Sequence, residues 1–146
     1  MNIRKIVGLI ILTTFAILAT GCKEDELADW ELLELRQMEI LLIIGEPQCN
    51  NVVDCRYIAF GAKPCGGAWG YLIYSITTVD SLNLARRVAE YNRFNALLNE
   101  RYGLSSDCSV PISPNLGCRS GRCVDLGYHP SGRIETSFLS GERILK

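Results

Sequence analysis

Cys55-Arg56-Tyr57-Ile58-Ala59-Phe60-Gly61-Ala62-Lys63-Pro64-Cys65-Gly66-Gly67-Ala68-Trp69-Gly70-Tyr71-Leu72-Ile73-Tyr74-Ser75 is the stretch whose reading decides the fold. Cys55–Phe60 alternates in character and is rich in residues that suit extended backbone, so it reads as a strand. Gly61–Gly70 carries four glycines and Pro64 and reads as a loop. Tyr71–Thr78 reads as a second strand. The glycines suit tight turning around Cys65, with Trp69 and Tyr71 covering the core.

Helical patterns flank this stretch. Downstream, Ser81–Tyr102 carries Leu84, Val88, Tyr91, Leu98 and Tyr102 on one stripe at helical spacing, widened by Phe94. Asp80 is the expected N-cap and Gly103 the expected residue after the C-cap. Asn95 falls on the apolar stripe, where a buried amide is expected to tie the helix to a neighbouring loop. Upstream, Leu27–Ile44 consists of strong helix formers without internal Gly or Pro, and Gly45 and Pro47 supply the stop. Its apolar residues gather into no single stripe, and it lacks the basic polar face of a membrane-lying helix. Cys108–Ile112 and Arg122–Leu126 read as short strands, the first pushed to an edge by its prolines. Ile134-x-Thr136-x-Phe138 alternates weakly, as an edge strand would. The expected architecture is α+β, two helices on a small antiparallel sheet. The expected core is Leu33, Ile40, Ile58, Phe60, Tyr71, Ile73, Leu84, Val88, Tyr91 and Leu98.

The N-terminus carries an address. Arg4 and Lys5 precede an apolar run over Ile6–Ala19, which has the length of a signal-peptide core and is short for a transmembrane helix. Leu18-Ala19-Thr20-Gly21-Cys22 closes it. A signal of this build ending at cysteine resembles a bacterial lipoprotein signal, which implies lipid attachment at Cys22 and cleavage before it. Each buried CH₂ of an acyl chain contributes about 0.8 kcal/mol, and more than one chain is needed for stable anchoring. Lys23-Glu24-Asp25-Glu26 follows, a solvated tether that also resembles the surface-export signal of Bacteroidetes lipoproteins. The implied location is the cell envelope, at the outer membrane and its outer face. The expected division is signal 1–21, acidic tether 22–30, domain 31–126 and polar tail 127–146.

Loss of residues 1–21 leaves 125 residues with a formal charge of −3, enough for one modest domain. That balance provides no footprint for nucleic acid and no polybasic patch for anionic lipid. Cys22 aside, six cysteines remain: Cys49, Cys55, Cys65, Cys108, Cys118 and Cys123. An even number in an exported chain reads as three disulfides. Fifteen connectivities are open to six cysteines. Two candidate pairings are Cys118 with Cys123, which could face each other across an Arg119–Arg122 turn, and Cys65 with Cys108, which sit at either end of the middle segment. The spacings C-x₅-C-x₉-C and C-x₉-C-x₄-C lack the close ligand pairs of structural zinc, and no C-x-x-C marks a redox centre.

The quoted stretch, with Tyr91-Asn92, Ser106-Asp107-Cys108 and Cys118-x-x-Gly121-x-Cys123, resembles a group of small six-cysteine secreted or lipid-anchored bacterial proteins. The likeness runs from about Cys49 to Val124, with Ala68 where the group carries proline. It implies a shared fold and an exported life, and brings no catalytic residues with it.

Enzyme chemistry finds little to stand on. A nucleophilic triad needs a histidine base, and the single histidine, His129, sits beside Pro130 in the tail. The acids cluster in the tether and on helix faces, solvated positions, where glycoside cleavage would need two convergent carboxylates. The glycine loop lacks the Gly-Lys-Ser/Thr ending of a phosphate cradle, since Pro64 follows Lys63. The sequence therefore points to a non-enzymatic binding or scaffolding domain without cofactor, acting on an envelope or extracellular protein, with Lys63, Trp69 and Tyr71 as the candidate binding loop. One alternative is a protease inhibitor offering Lys63, Arg119 or Arg122 to a trypsin-like pocket. A hydrolase comes third.

Overall fold

The computed structural model describes residues 21–127. In chain order they form helix α1 (Gly21–Ile44), a 3₁₀ turn (Val52–Asp54), strands β1 (Cys55–Phe60) and β2 (Gly70–Ser75), helix α2 (Ser81–Arg101), and strands β3 (Leu116–Arg119) and β4 (Arg122–Asp125). The class is α+β as expected, but the strands make two separate antiparallel hairpins, β1–β2 and β3–β4. The stretch 22–30, read as a tether, lies within α1, in keeping with its strong helix formers. The weakly alternating 134–138 segment and His129 lie outside the described residues.

Alternation along β1–β2 sorts its side chains between two layers. Cys55 pairs with Ser75 and Phe60 with Gly70, so even-numbered residues share one face and odd-numbered residues the other. The even face meets the helices. Phe60 and Tyr74 are buried there with Leu33, Ile40 and Ile44 of α1 and Leu84, Val88, Tyr91 and Leu98 of α2, while Ile58 and Leu72 pack at the margin. Phe60 stacks on Tyr91 at 4.3 Å between ring centroids. The odd face meets the second hairpin, where Ile73 packs against Cys49, Cys55 and Cys123. Expected core positions Ile58, Tyr71 and Ile73 are only half-buried. Ile44, Tyr74 and Val79, not among the expected core, are buried instead.

Helix α2 ends as its sequence requires. Asp80 Oδ1 accepts from the backbone N–H groups of Leu82 and Asn83 at 2.9 and 3.1 Å. At the other end the Leu104 N–H donates to Asn99 O and the Gly103 N–H to Glu100 O, with Gly103 at φ +58°. This is the Schellman arrangement, which satisfies the last carbonyls and favours glycine at the left-handed position. Asp29 joins α1 to this end through an ion pair with Arg101 and by accepting from the Tyr102 hydroxyl at 2.8 Å.

Among the described residues, one expected strand is absent and one unexpected strand is present. Cys108–Ile112 forms no strand, as Pro111 and Pro114 lack the N–H a ladder needs. Leu116–Arg119 is a strand instead, and it reverses into β4 through Ser120 and Gly121, both at positive φ (50° and 75°). Two successive left-handed residues make the turn that matches strand twist in a two-residue hairpin.

Cys118 and Cys123 do face each other across that turn in register, yet they are not bonded to each other. Cys118 bonds Cys49 and Cys123 bonds Cys55. The cause lies in the chain before β1. Cys49 N–H donates to Gly121 O at 2.9 Å and Cys123 N–H to Pro47 O at 2.8 Å, so residues 47–49 run alongside β4 and bring their own sulfur to the hairpin. The Sγ atoms of Cys49, Cys55 and Cys123 all lie within 4.8 Å of one another. A two-stranded hairpin is marginal alone; here a pair of adjacent buried crosslinks fixes one hairpin to the other. Two of the three expected disulfides are formed, and the third candidate pair, Cys65 and Cys108, comes together as two exposed thiols.

Candidate functional site

The loop between β1 and β2 is held from below by three asparagines of α2. Asn92, Asn95 and Asn99 recur at helical spacing and share the face under the loop. Asn92 Oδ1 accepts from the Gly61 N–H at 2.7 Å and its amide donates to Ala59 O at 3.2 Å. Asn95 Oδ1 accepts from the Ala62 N–H at 2.8 Å, and the Asn99 amide donates to Ala62 O at 2.7 Å. The structural role expected of Asn95 is thus shared among three residues. Asn99 was missed because it falls off the apolar stripe, although its spacing from Asn92 and Asn95 was readable. Gly61, at φ +78°, leaves room for Trp69: a Cβ there would stand 2.6 Å from Trp69 Cδ1.

Lys63 turns inward. Its side chain is only 6% exposed. Nζ donates to Asp107 Oδ1 at 3.0 Å, Ser109 O at 2.7 Å and Ser109 Oγ at 3.0 Å, and it sits 5.1 Å from the centre of the Trp69 ring. All three ammonium protons therefore have partners, which a buried ammonium requires. Ser109 and Lys63 together hold the Asp107 carboxyl below the usual carboxylate range. Lys63 is thereby removed as a residue offered to a protease pocket. Trp69 and Tyr71 are half-buried. Tyr71 meets Tyr57 edge to face at 5.1 Å, and its hydroxyl accepts from Ser113 at 3.4 Å. The candidate binding loop is filled by its own side chains.

On the outer side of this loop the fold joins two cysteines 43 residues apart. Cys65 Sγ lies 3.3 Å from Ser106 Oγ and donates to Asp107 O at 3.3 Å. Hydrogen bonding from Cys108, then from Ser106, lowers the Cys65 thiol below its ordinary value, with Lys63 adding a smaller electrostatic contribution. The hydrogen bond to Cys65, followed by desolvation, raises the Cys108 thiol. The two sulfurs are therefore neighbours with opposite acidity.

Arg119 and Arg122 stand exposed at the tip of the disulfide-held β3–β4 hairpin, with Arg122 paired to Glu46. A separate open groove of about 450 Å³ runs between the helices, lined by Leu32, Leu35 and Glu39 of α1 and Arg87, Glu90 and Tyr91 of α2. Burial, with the Glu34 charge adding to it, pushes the Tyr91 hydroxyl up to about 12. Among the described residues, no helix is long and apolar enough to cross a membrane. No family model, curated protein or solved structure matches this chain.

Proposed function

We propose that this is a lipid-anchored protein of a bacterial cell envelope, held at the outer membrane with its domain facing outward, which binds or scaffolds another protein and catalyses no reaction. The observation that carries the non-enzymatic reading is the self-filled β1–β2 loop. Its lysine, its tryptophan and the backbone groups of Gly61 and Ala62 are spent on internal contacts. The anchor rests on the Leu18–Cys22 signal. Helix α1 contains Cys22 and also Trp30, which packs against the core, so a lipid on Cys22 would lie about 12 Å along the helix axis from that residue. Cys22→Ala is expected to move the protein from the membrane fraction to the soluble fraction; retention in the membrane would sink the anchor. Protease treatment of intact cells is expected to digest the domain, and full protection would remove the outward placement.

A specific observation favours a second reading. Arg119 stands at an exposed, crosslinked hairpin tip, the kind of rigid loop by which protease inhibitors bind. Micromolar protein that leaves a trypsin-like protease fully active would dismiss it.

A further inference from the structure

The two kinds of cysteine in this fold do different work. Cys49, Cys55 and Cys123 are buried; the Cys55–Cys123 bond joins the two hairpins, and the Cys49–Cys118 bond joins the segment before the 3₁₀ turn to the second of them. Cys65 and Cys108 are exposed, and the segments that carry them are already joined without them. Lys63 reaches across to Asp107 and Ser109. Within the loop the Lys63 N–H donates to Gly67 O and the Gly66 N–H to Lys63 O, each at 2.9 Å. A bond between Cys65 and Cys108 is therefore not needed to bring the two segments together, and breaking it would leave the two sulfurs in place. Approach is open as well, since nothing lies within 4 Å of where a side chain on Gly66 or Gly67 would begin.

We propose that Cys65 and Cys108 are a dithiol–disulfide couple that exchanges with low-molecular-weight disulfides, Cys65 attacking and Cys108 resolving. In the first step the Cys65 thiolate attacks one sulfur of the disulfide R–S–S–R. The Cys65–S–S–R bond forms and RS⁻ leaves. In the second step the Cys108 thiolate attacks Cys65 Sγ, the Cys65–Cys108 bond forms, and a second RS⁻ leaves. Two electrons pass from the protein sulfurs to the small disulfide, and the two thiol protons end on the two departing RS⁻ groups. The order follows from the surroundings. Ser106 can donate to a Cys65 thiolate, and Lys63 is the nearby positive charge. A lowered, exposed thiol is the competent nucleophile, and the raised neighbour becomes reactive once the first sulfur is engaged.

The test is to hold the intact, folded chain in a series of glutathione/glutathione disulfide buffers, trap thiols by alkylation and locate the labels by peptide mass. Cys65 and Cys108 are expected to interconvert reversibly across the series while Cys49, Cys55, Cys118 and Cys123 stay unlabelled. In excess glutathione disulfide, Cys108→Ser is expected to accumulate the glutathione adduct at Cys65 faster than Cys65→Ser does at Cys108, because Ser106 stands beside Cys65. Reduction of all six cysteines in one step would overturn the couple. So would a Cys65–Cys108 bond that never forms, or one that opens only on unfolding. Equal adduct rates in the two variants would overturn the assignment of attack to Cys65.

Discussion

The buried disulfides and the exposed cysteine pair share a chain and a solvent, yet their surroundings give them opposite character. At Cys49–Cys118 and Cys55–Cys123 the covalent bonds are the main attachment of the β3–β4 hairpin, whose four-residue strands bring little apolar surface of their own. At Cys65 and Cys108 the attachment is electrostatic and runs through Lys63, and the sulfurs lie outside it. The buried bonds act together with the backbone hydrogen bonds between residues 47–49 and the hairpin, which is pressed against β1–β2, whereas the exposed pair stands beside a clasp that does not involve its sulfurs.

Removing the buried bonds should have the largest effect. The two disulfides span nearly the same loop, with sequence separations of 69 and 68 residues. Once one is closed, the other closes a ring of only about a dozen residues. Chain entropy then assigns about 3 kcal/mol to the loss of either bond alone and about 7 kcal/mol to the loss of both. Urea unfolding of Cys55→Ala/Cys123→Ala, alone and combined with Cys49→Ala/Cys118→Ala, measures this. Equal costs for the single and combined removals would show that the hairpin has another anchor.

Lys63→Met tests the other half of the comparison. It removes three hydrogen bonds made by a buried charge, and a loss of about 2 kcal/mol is expected by the same unfolding measurement. A variant as stable as the parent would mean that Lys63 is not the clasp.

The last effect belongs to the helix-facing core and is absent at neutral pH, being confined to alkaline pH. The folded Tyr91 value of about 12 lies above the ordinary value of 10. A group raised in the folded state contributes stability that is complete below its unfolded value and is lost as pH rises through the folded one. Stability should therefore fall between about pH 10 and pH 12, and Tyr91→Phe should remove that part of the decline. An identical alkaline decline in the variant would place the cause elsewhere.

Periodicity made the helices and the first hairpin legible. The alternation of Cys55–Phe60, the Leu84–Val88–Tyr91–Leu98 stripe, Asp80 and Gly103 all behave as their chemistry dictates. The disulfide pairing was not legible, because it depends on residues 47–49 running beside β4, which no local pattern reports. Strand β3 was hidden for a similar reason: Leu116-Gly117-Cys118-Arg119 has weak strand character, and Gly117 is needed there because a Cβ would stand 2.4 Å from a Leu126 side-chain carbon. The exposed cysteine couple lacks any short motif, since its partners meet only through the fold. From the sequence Lys63 reads as a side chain offered to a partner, and only the distant Asp107 and Ser109 explain its burial.

The close spacing of the two buried bonds also governs what happens when the chain is cut. Residues 104–115 form an irregular, mostly exposed run, the natural place for a protease to enter. A single cut anywhere between residues 56 and 117 leaves both fragments joined, because Cys49 and Cys55 lie on one side of the cut and Cys118 and Cys123 on the other. A clipped molecule would run as one species until reduced, and nothing carried beyond the hairpin would be shed from a body held at its N-terminal end.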